Sequence, residues 1–91
     1  MTIRNLLNQL VWDPRENRAE YELTYVHRGE PDGVKTITCD RIQTIEASWF
    51  TYIDTEEEVL IPFHRIREIK HLKTQKMLWK KGEEGKSNYR N

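Results

Sequence analysis

Two short His-Arg pairs are the residues of this chain best suited to chemistry. The first pair lies in Tyr25-Val26-His27-Arg28-Gly29, and the second lies in Ile61-Pro62-Phe63-His64-Arg65-Ile66. Arginine presents a planar fork of donors that suits a phosphate, and histidine can donate a hydrogen bond or move a proton near neutral pH. Both pairs follow apolar, strand-like residues, and Pro62 marks a strand end because proline has no N–H for a ladder. The sequence therefore predicts that each pair is presented where a strand meets a turn.

Aromatic residues near the pairs would complete a site for the end of an RNA strand. A cation would bind the phosphate, and a ring would stack on an unpaired base, which contributes roughly 1–3 kcal/mol per base. The rings considered for this role are Tyr25, Trp49, Tyr52, Phe63 and Trp79. A competing interpretation is purely structural, with each histidine bonded to a backbone carbonyl. Each arginine would then pair with a carboxylate such as Asp13, Glu20 or Glu22.

Catalysis by the two histidines is a further hypothesis. His27 and His64 could act as the general acid and base of a small RNA phosphoesterase. Neither lies in a His-x-Ser/Thr motif, and the chain has no glycine-rich phosphate loop and no Gly-x-Ser-x-Gly motif. We therefore predict no catalytic residues. We also predict no metal and no cofactor, because Cys39 and the three histidines stand apart, without Cys-x-x-Cys or His-x3-His spacing.

The composition of the 91 residues indicates one small domain with a highly charged surface. Hydrophobic residues make up 36% of the chain, charged residues make up 33%, and the mean hydropathy is −0.88. No apolar run approaches the roughly 20 residues of a membrane helix. The N-terminal segment lacks the pattern of a secretory signal, and a single cysteine suits a reducing compartment. These features predict a cytoplasmic protein that does not enter a membrane.

The net charge of zero hides an uneven distribution of charge along the chain. Residues 1–69 hold 8 Lys and Arg against 13 Asp and Glu, whereas residues 70–91 hold 7 against 2. The basic C-terminal part could face an anion such as nucleic acid, and its lysines could contact phosphates. An ordinary solvated surface would explain the same charges equally well.

The apolar pattern predicts an α+β fold, with an N-terminal helix packed on a largely antiparallel β-sheet. Apolar residues recur at helical spacing in residues 2–10, where Thr2 can cap the helix and Pro14 ends it. Residues 20–27 alternate as a strand, which should turn Tyr25 and His27 toward the core and Arg28 away from it.

Turn chemistry predicts three hairpins after the helix. Gly29 to Gly33 joins residues 20–27 to 34–39, residues 54–57 join the strands on either side, and residues 73–76 join the last two strands. Residues 40–47 are expected to form a turn followed by a strand. We assign residues 1–81 to a single domain and 82–91 to a flexible polar tail, and we place Trp12 in the core.

The order of four motifs resembles a small, mainly archaeal family described as an RNA cyclic-group-end recognition domain. The motifs are Trp12-Asp13-Pro14, Tyr25-Val26-His27-Arg28-Gly29, Ile61-Pro62-Phe63-His64-Arg65-Ile66 and Leu78-Trp79-Lys80-Lys81. The resemblance covers roughly residues 5–81. The chain departs from the family in the turn at residues 73–76, which lacks an expected glycine, and in the tail.

The resemblance implies an RNA-binding module that recognises a 2′,3′-cyclic phosphate or another phosphate end. His27, Arg28, His64 and Arg65 would then contact the phosphate, while Tyr25 or Phe63 would line the pocket. The expected partner is a processed RNA end, and RNA-processing enzymes are further expected partners. The alternatives left open are the phosphoesterase and a protein-interaction or structural domain.

Overall fold

A computed structural model of the chain describes residues 2–29 and 31–81. The tail predicted at 82–91 lies outside the described residues. Within the described ranges, no helix is long and apolar enough to cross a membrane.

The N-terminal helix, α1, spans Ile3–Trp12 and is capped as the sequence predicts. The Thr2 hydroxyl oxygen accepts a hydrogen bond from the Asn5 backbone N–H at 3.1 Å, which satisfies one of the free donors of the first turn. One face of the helix is buried, and it consists of Leu6, Leu7, Leu10 and Val11. The helix ends at Asp13, which is extended because Pro14 follows it.

Seven strands follow the helix, and every pairing between them is antiparallel. In chain order they are β1 Tyr21–Val26, β2 Val34–Thr38, β3 Ile42–Ile45, β4 Trp49–Asp54, β5 Glu57–Pro62, β6 Ile66–His71 and β7 Lys76–Lys80. The three predicted hairpins, β1–β2, β4–β5 and β6–β7, are confirmed. Gln75 has a φ of 61° in the last turn, so it takes the left-handed conformation for which a glycine was expected.

The strands form two sheets rather than the single sheet that we expected. One sheet has four strands in the order β2-β1-β6-β7, and the other has three in the order β3-β4-β5. The chain passes between the sheets through two 3-10 turns, Cys39–Arg41 before β3 and Phe63–Arg65 before β6. Helix α1 contacts β3 and the first of these turns. The α+β class is confirmed, but the helix does not lie on one continuous sheet.

The core lies where the helix and the two sheets meet. Its most deeply buried side chains are Leu7, Leu10, Leu23, Tyr25, Cys39, Phe50, Tyr52, Ile66 and Ile69. The placement of Trp12 in the core was wrong, because 53% of its surface is exposed. Trp12 lies in the last turn of α1, off the buried face, and the Arg18 guanidinium lies 6.0 Å from the centre of its ring.

Candidate functional site

The antiparallel pairing of β1 with β6 carries both His-Arg pairs to one end of the four-stranded sheet. Tyr25 is paired with Ile66 at that end of the ladder. His27 lies two residues after Tyr25, and His64 lies two residues before Ile66. Because antiparallel neighbours run in opposite directions, the end of one strand lies beside the start of the other. We call this region, formed by His27, Arg28, His64 and Arg65, the His-Arg end.

The first pair is held by the β1–β2 hairpin. The His27 backbone N–H donates to the Gly33 carbonyl at 2.9 Å, and the imidazole meets the Tyr25 ring edge-on at 6.0 Å between ring centres. Nδ1 of His27 is buried, while the residue as a whole is half-buried and Arg28 is exposed. This agrees with the predicted alternation of the strand, in which His27 turns inward and Arg28 outward.

The second pair lies on the 3-10 turn Phe63–Arg65. Phe63 anchors the turn, because its ring stacks on Phe50 at 6.5 Å between centres and its N–H donates to the Ser48 carbonyl at 3.0 Å. The Ile66 backbone N–H closes the turn onto the Phe63 carbonyl, and the Ile66 side chain is fully buried. His64 and Arg65 are exposed on this anchored turn.

Lys81 is a further cation at this end that the sequence did not single out. Its ammonium donates to the His64 carbonyl, and its backbone N–H donates to the Arg67 carbonyl at 2.8 Å. Sequence reasoning grouped Lys81 with other C-terminal lysines as a general basic face. Its place as the last residue of the motif Leu78-Trp79-Lys80-Lys81 was the signal that could have separated it from that group.

The aromatic residues differ in how far their rings are exposed and so in whether a base could stack on them. Tyr25 is 0% exposed and Tyr52 is 1% exposed, and their hydroxyls hydrogen-bond to each other. Neither ring can therefore serve as a stacking platform in this conformation. Tyr25 instead supports the His27 ring from the core side, whereas Phe63 is half-buried and Trp49 is 36% exposed.

Two of the three carboxylates named in the structural interpretation have other partners. Asp13 binds Arg15 at 2.9 Å, and Glu20 lies 3.2 Å from Nε2 of His71. Among residues 2–29 and 31–81, neither Arg28 nor Arg65 forms an ion pair within 4 Å. Both guanidinium groups are thus available to an external anion, as far as the described chain is concerned.

Asp54, at the end of β4, is an acidic residue on which the charge of His27 acts. Lys35 Nζ donates to its carboxylate at 2.8 Å, and the Arg41 guanidinium lies 3.9 Å from the other carboxylate oxygen. The Lys35 hydrogen bond is the main cause that lowers the pKa of Asp54, and the charges of Lys35, Arg41 and His27 lower it further. The carboxylate is therefore ionised at neutral pH and compensated by its own cations.

The part of the chain that the structure describes contains no group of three or more residues arranged to hold a metal ion. The third histidine, His71, lies in β6 away from the His-Arg end, with Nδ1 2.8 Å from the Thr74 hydroxyl.

The fold and the His-Arg end define a small α+β domain with exposed cations at one end of an antiparallel sheet. Residues 1–81 match the family model described as the MJ1316 RNA cyclic group end recognition domain, and the chain belongs to this family.

Its relatives are archaeal proteins of similar length. A UPF0248 protein of Methanococcus vannielii is 42% identical over 79 residues, covering 87% of this chain and 90% of the relative. The UPF0248 protein MJ1316 of Methanocaldococcus jannaschii is 34% identical over 87% of this chain and 92% of its own length. A UPF0248 protein of Saccharolobus islandicus is 27% identical over 89% and 100%. No solved structure matches the chain.

Proposed function

We propose that this chain binds processed RNA ends, in particular a 2′,3′-cyclic phosphate or a terminal phosphate, at the His-Arg end. The observation that carries the proposal is the register of β1 with β6, which brings two sequence-distant His-Arg pairs to one end of a sheet. Their arginines form no internal ion pair within the described ranges. The description of the family, which names recognition of RNA cyclic ends, supports the same function.

Each residue of the His-Arg end would have a distinct part in binding. Arg28 and Arg65 would clamp the phosphate oxygens through charge-assisted hydrogen bonds. His27 and His64 would donate hydrogen bonds to the remaining oxygens, and Lys81 would add positive charge beside His64.

The aromatic residues would then take two different roles. Phe63, which is half-buried, would contact the terminal sugar or base. Tyr25, which is fully buried, would hold His27 in place rather than contact RNA. RNA-processing enzymes are the class of partner that would use such a module, because a cyclic phosphate is a product of RNA cleavage that other enzymes must handle.

The RNA ends differ in charge, so a comparison of their affinities distinguishes recognition of charge from recognition of shape. A 2′,3′-cyclic phosphate is a diester with one negative charge, whereas a 3′-phosphate carries about −1.5 to −2 at pH 7. A site that read charge alone would therefore prefer the 3′-phosphate. Preference for the cyclic end would require recognition of its shape.

The test is fluorescence anisotropy with one short RNA that ends in a cyclic phosphate, a 3′-phosphate or a 3′-hydroxyl, at two salt concentrations. We expect the cyclic end to bind most tightly, and we expect Arg28→Ala and Arg65→Ala each to weaken binding by about tenfold or more, the effect of losing a charged hydrogen bond. Arg4→Ala is the matched control, because Arg4 is an exposed arginine on α1 and should leave the affinity unchanged.

Two outcomes would contradict the proposal. Equal affinity for all three ends, with the same salt dependence in wild type and variants, would leave only a non-specific basic surface. Cleavage of the recovered RNA, lost in His27→Ala and His64→Ala, would instead make the chain a phosphoesterase.

A further inference from the structure

The two sheets are built from two halves of the chain with the same arrangement. In the first half, the hairpin β1–β2 is followed by the turn Cys39–Arg41 and by β3; in the second, β4–β5 is followed by the turn Phe63–Arg65 and by β6. The third strand of each half leaves its own hairpin and pairs with the first strand of the other half, β3 with β4 and β6 with β1. The halves are therefore related by an exchange of equivalent strands.

The registers of the two exchanged pairings match residue for residue. The equivalent pairs are Ile42–Tyr52 and Ile66–Tyr25, Thr44–Thr51 and Glu68–Thr24, and Ile45–Phe50 and Ile69–Leu23. Each ladder also has its register shift at the same place, immediately after the first of these pairs. The hydroxyls of the equivalent Tyr25 and Tyr52 meet, as expected for residues beside an approximate twofold axis.

The sequence retains a trace of this relation. Residues 37–45 read Ile-Thr-Cys-Asp-Arg-Ile-Gln-Thr-Ile, and residues 61–69 read Ile-Pro-Phe-His-Arg-Ile-Arg-Glu-Ile. The isoleucines and the arginine fall at the same positions in both segments. A Thr-Tyr pair is likewise common to β1 and β4, at Thr24-Tyr25 and Thr51-Tyr52.

The equivalence of the two halves gives two residues of the His-Arg end, Arg65 and His27, a counterpart in the other half. Arg65 corresponds to Arg41, since each directly precedes the first isoleucine of an exchanged strand. His27 corresponds to Asp54, since each lies two residues after one of the equivalent tyrosines. Arg41 lies 3.9 Å from the Asp54 carboxylate in one half, and the equivalent positions of the other half hold Arg65 and the imidazole of His27.

In the half that contains Asp54, two basic residues already compensate the charge of the carboxylate. The Arg41 guanidinium lies 3.9 Å from the Asp54 carboxylate, which Lys35 also binds at 2.8 Å. Arg41 is partly covered, whereas Arg65 is exposed and forms no ion pair within residues 2–29 and 31–81. Among those residues, the arginine in the half with the imidazole therefore has no carboxylate within ion-pair distance.

We infer that the terminal phosphate of the RNA takes, beside His27 and Arg65, the place that the Asp54 carboxylate takes beside Arg41. Asp54 is then an internal substitute for the ligand, which closes the second of two equivalent sites and leaves one phosphate site per chain. This inference rests on the proposed function and adds the location and the number of the sites. Arg28 and Lys81 supply the additional positive charge that Lys35 supplies to Asp54.

The first test gives the half that contains His27 and Arg65 the carboxylate that the other half already has. His27→Asp places a carboxylate beside Arg65, and we expect it to weaken binding of the cyclic-phosphate RNA by about a hundredfold, since an anion now competes for the arginine. His27→Asn is the matched control of equal size without the charge, and we expect it to lose about tenfold or less. Circular dichroism confirms that each variant is folded.

The second test removes the carboxylate from the half that contains Asp54 and Arg41, and it leaves His27 unchanged. Asp54→Asn removes the carboxylate beside Arg41 and Lys35, and the number of bound cytidine 2′,3′-cyclic phosphate molecules, measured by calorimetry, should rise from one to two. A number that stays at one would overturn the equivalence of the two halves.

The failure of this inference differs from the failure of the proposed function. If wild type prefers the cyclic end but His27→Asp and His27→Asn weaken binding equally, RNA-end binding stands and the inferred phosphate position is wrong. If wild type does not distinguish the three RNA ends, the proposed function itself fails.

Discussion

At the scale of single residues, the contact between the Tyr25 and Tyr52 hydroxyls joins the two sheets. Tyr25 belongs to β1 and Tyr52 to β4, and both rings are buried. Their ring centres are 5.9 Å apart at an angle of 57°. A buried hydroxyl must be hydrogen-bonded, because leaving it without a partner costs about 1–3 kcal/mol. The contact therefore bonds one sheet to the other, and the Tyr25 ring also contacts His27.

Removal of one hydroxyl should affect the other. We expect Tyr52→Phe to lower the free energy of unfolding by about 1–1.5 kcal/mol, since a buried hydrogen bond is lost with little change in volume. In a double-mutant cycle with Tyr25→Phe, urea unfolding should give a coupling energy of about 1 kcal/mol. Strictly additive losses would show that the two hydroxyls do not stabilise each other.

At the scale of elements, the 3-10 turns direct the chain between the sheets. Each of the turns Cys39–Arg41 and Phe63–Arg65 is followed by an isoleucine whose N–H bonds back to the first residue of the turn, and that isoleucine is buried. The turn thus ends one sheet and starts the next with a fixed register. The second turn also presents His64 and Arg65, so the element that connects the sheets also carries half of the candidate site.

We expect helix α1 to contribute to stability rather than to RNA binding. It packs on β3 and the first 3-10 turn, and it makes no large contact with β6. We expect Thr2→Ala to lower the free energy of unfolding by about 1 kcal/mol through loss of the N-cap. Thr2→Ser, which keeps a capping hydroxyl, should be close to wild type. The RNA affinity of both variants should be unchanged, and a loss of binding in Thr2→Ala alone would show that the helix takes part in the site.

At the scale of the whole molecule, the distribution of charge matters more than its total. The formal net charge is zero. Arg28 and Arg65 nevertheless form no ion pair within residues 2–29 and 31–81, while Asp13, Glu20 and Asp54 are each matched with a basic residue. A neutral chain can therefore present a local positive region to an anion.

Cys39 allows the stability of the whole molecule to be measured. It is fully buried in the first 3-10 turn, which contacts α1, β1 and β4, so the thiol becomes accessible only when these elements separate. Burial, and to a lesser extent the charge of Asp40, raises the pKa of the thiol to about 12. At pH 8 the folded thiol is therefore protonated and unreactive, whereas an unfolded cysteine has a pKa of about 8.5.

We expect a thiol reagent at pH 8 to label the native chain at least about a thousandfold more slowly than the urea-unfolded chain, because reaction requires global opening. Cys39→Ser gives the background rate. Rapid labelling of the native chain would mean that the first 3-10 turn opens without the rest of the fold.

Local sequence patterns predicted most of the elements because their causes are local. The helix follows from apolar spacing and the Thr2 cap, and the hairpins follow from turn residues between alternating strands. The inward turn of His27 and the outward turn of Arg28 follow from the period of a strand. The order of the motifs also placed the chain in its family, which the match over residues 1–81 bears out.

Only the tertiary structure decided how these elements are combined. The division into two sheets and the exchange of β3 and β6 depend on pairings between distant residues, which no local pattern encodes. Trp12 shows the same limit, since a tryptophan at a helix end can be exposed or buried depending on what packs beside it. The partners of Asp54 and the position of Lys81 arise from contacts across the fold. The sequence by itself therefore indicated residues whose side chains suit a phosphate. The register of the strands determined which of those residues lie together.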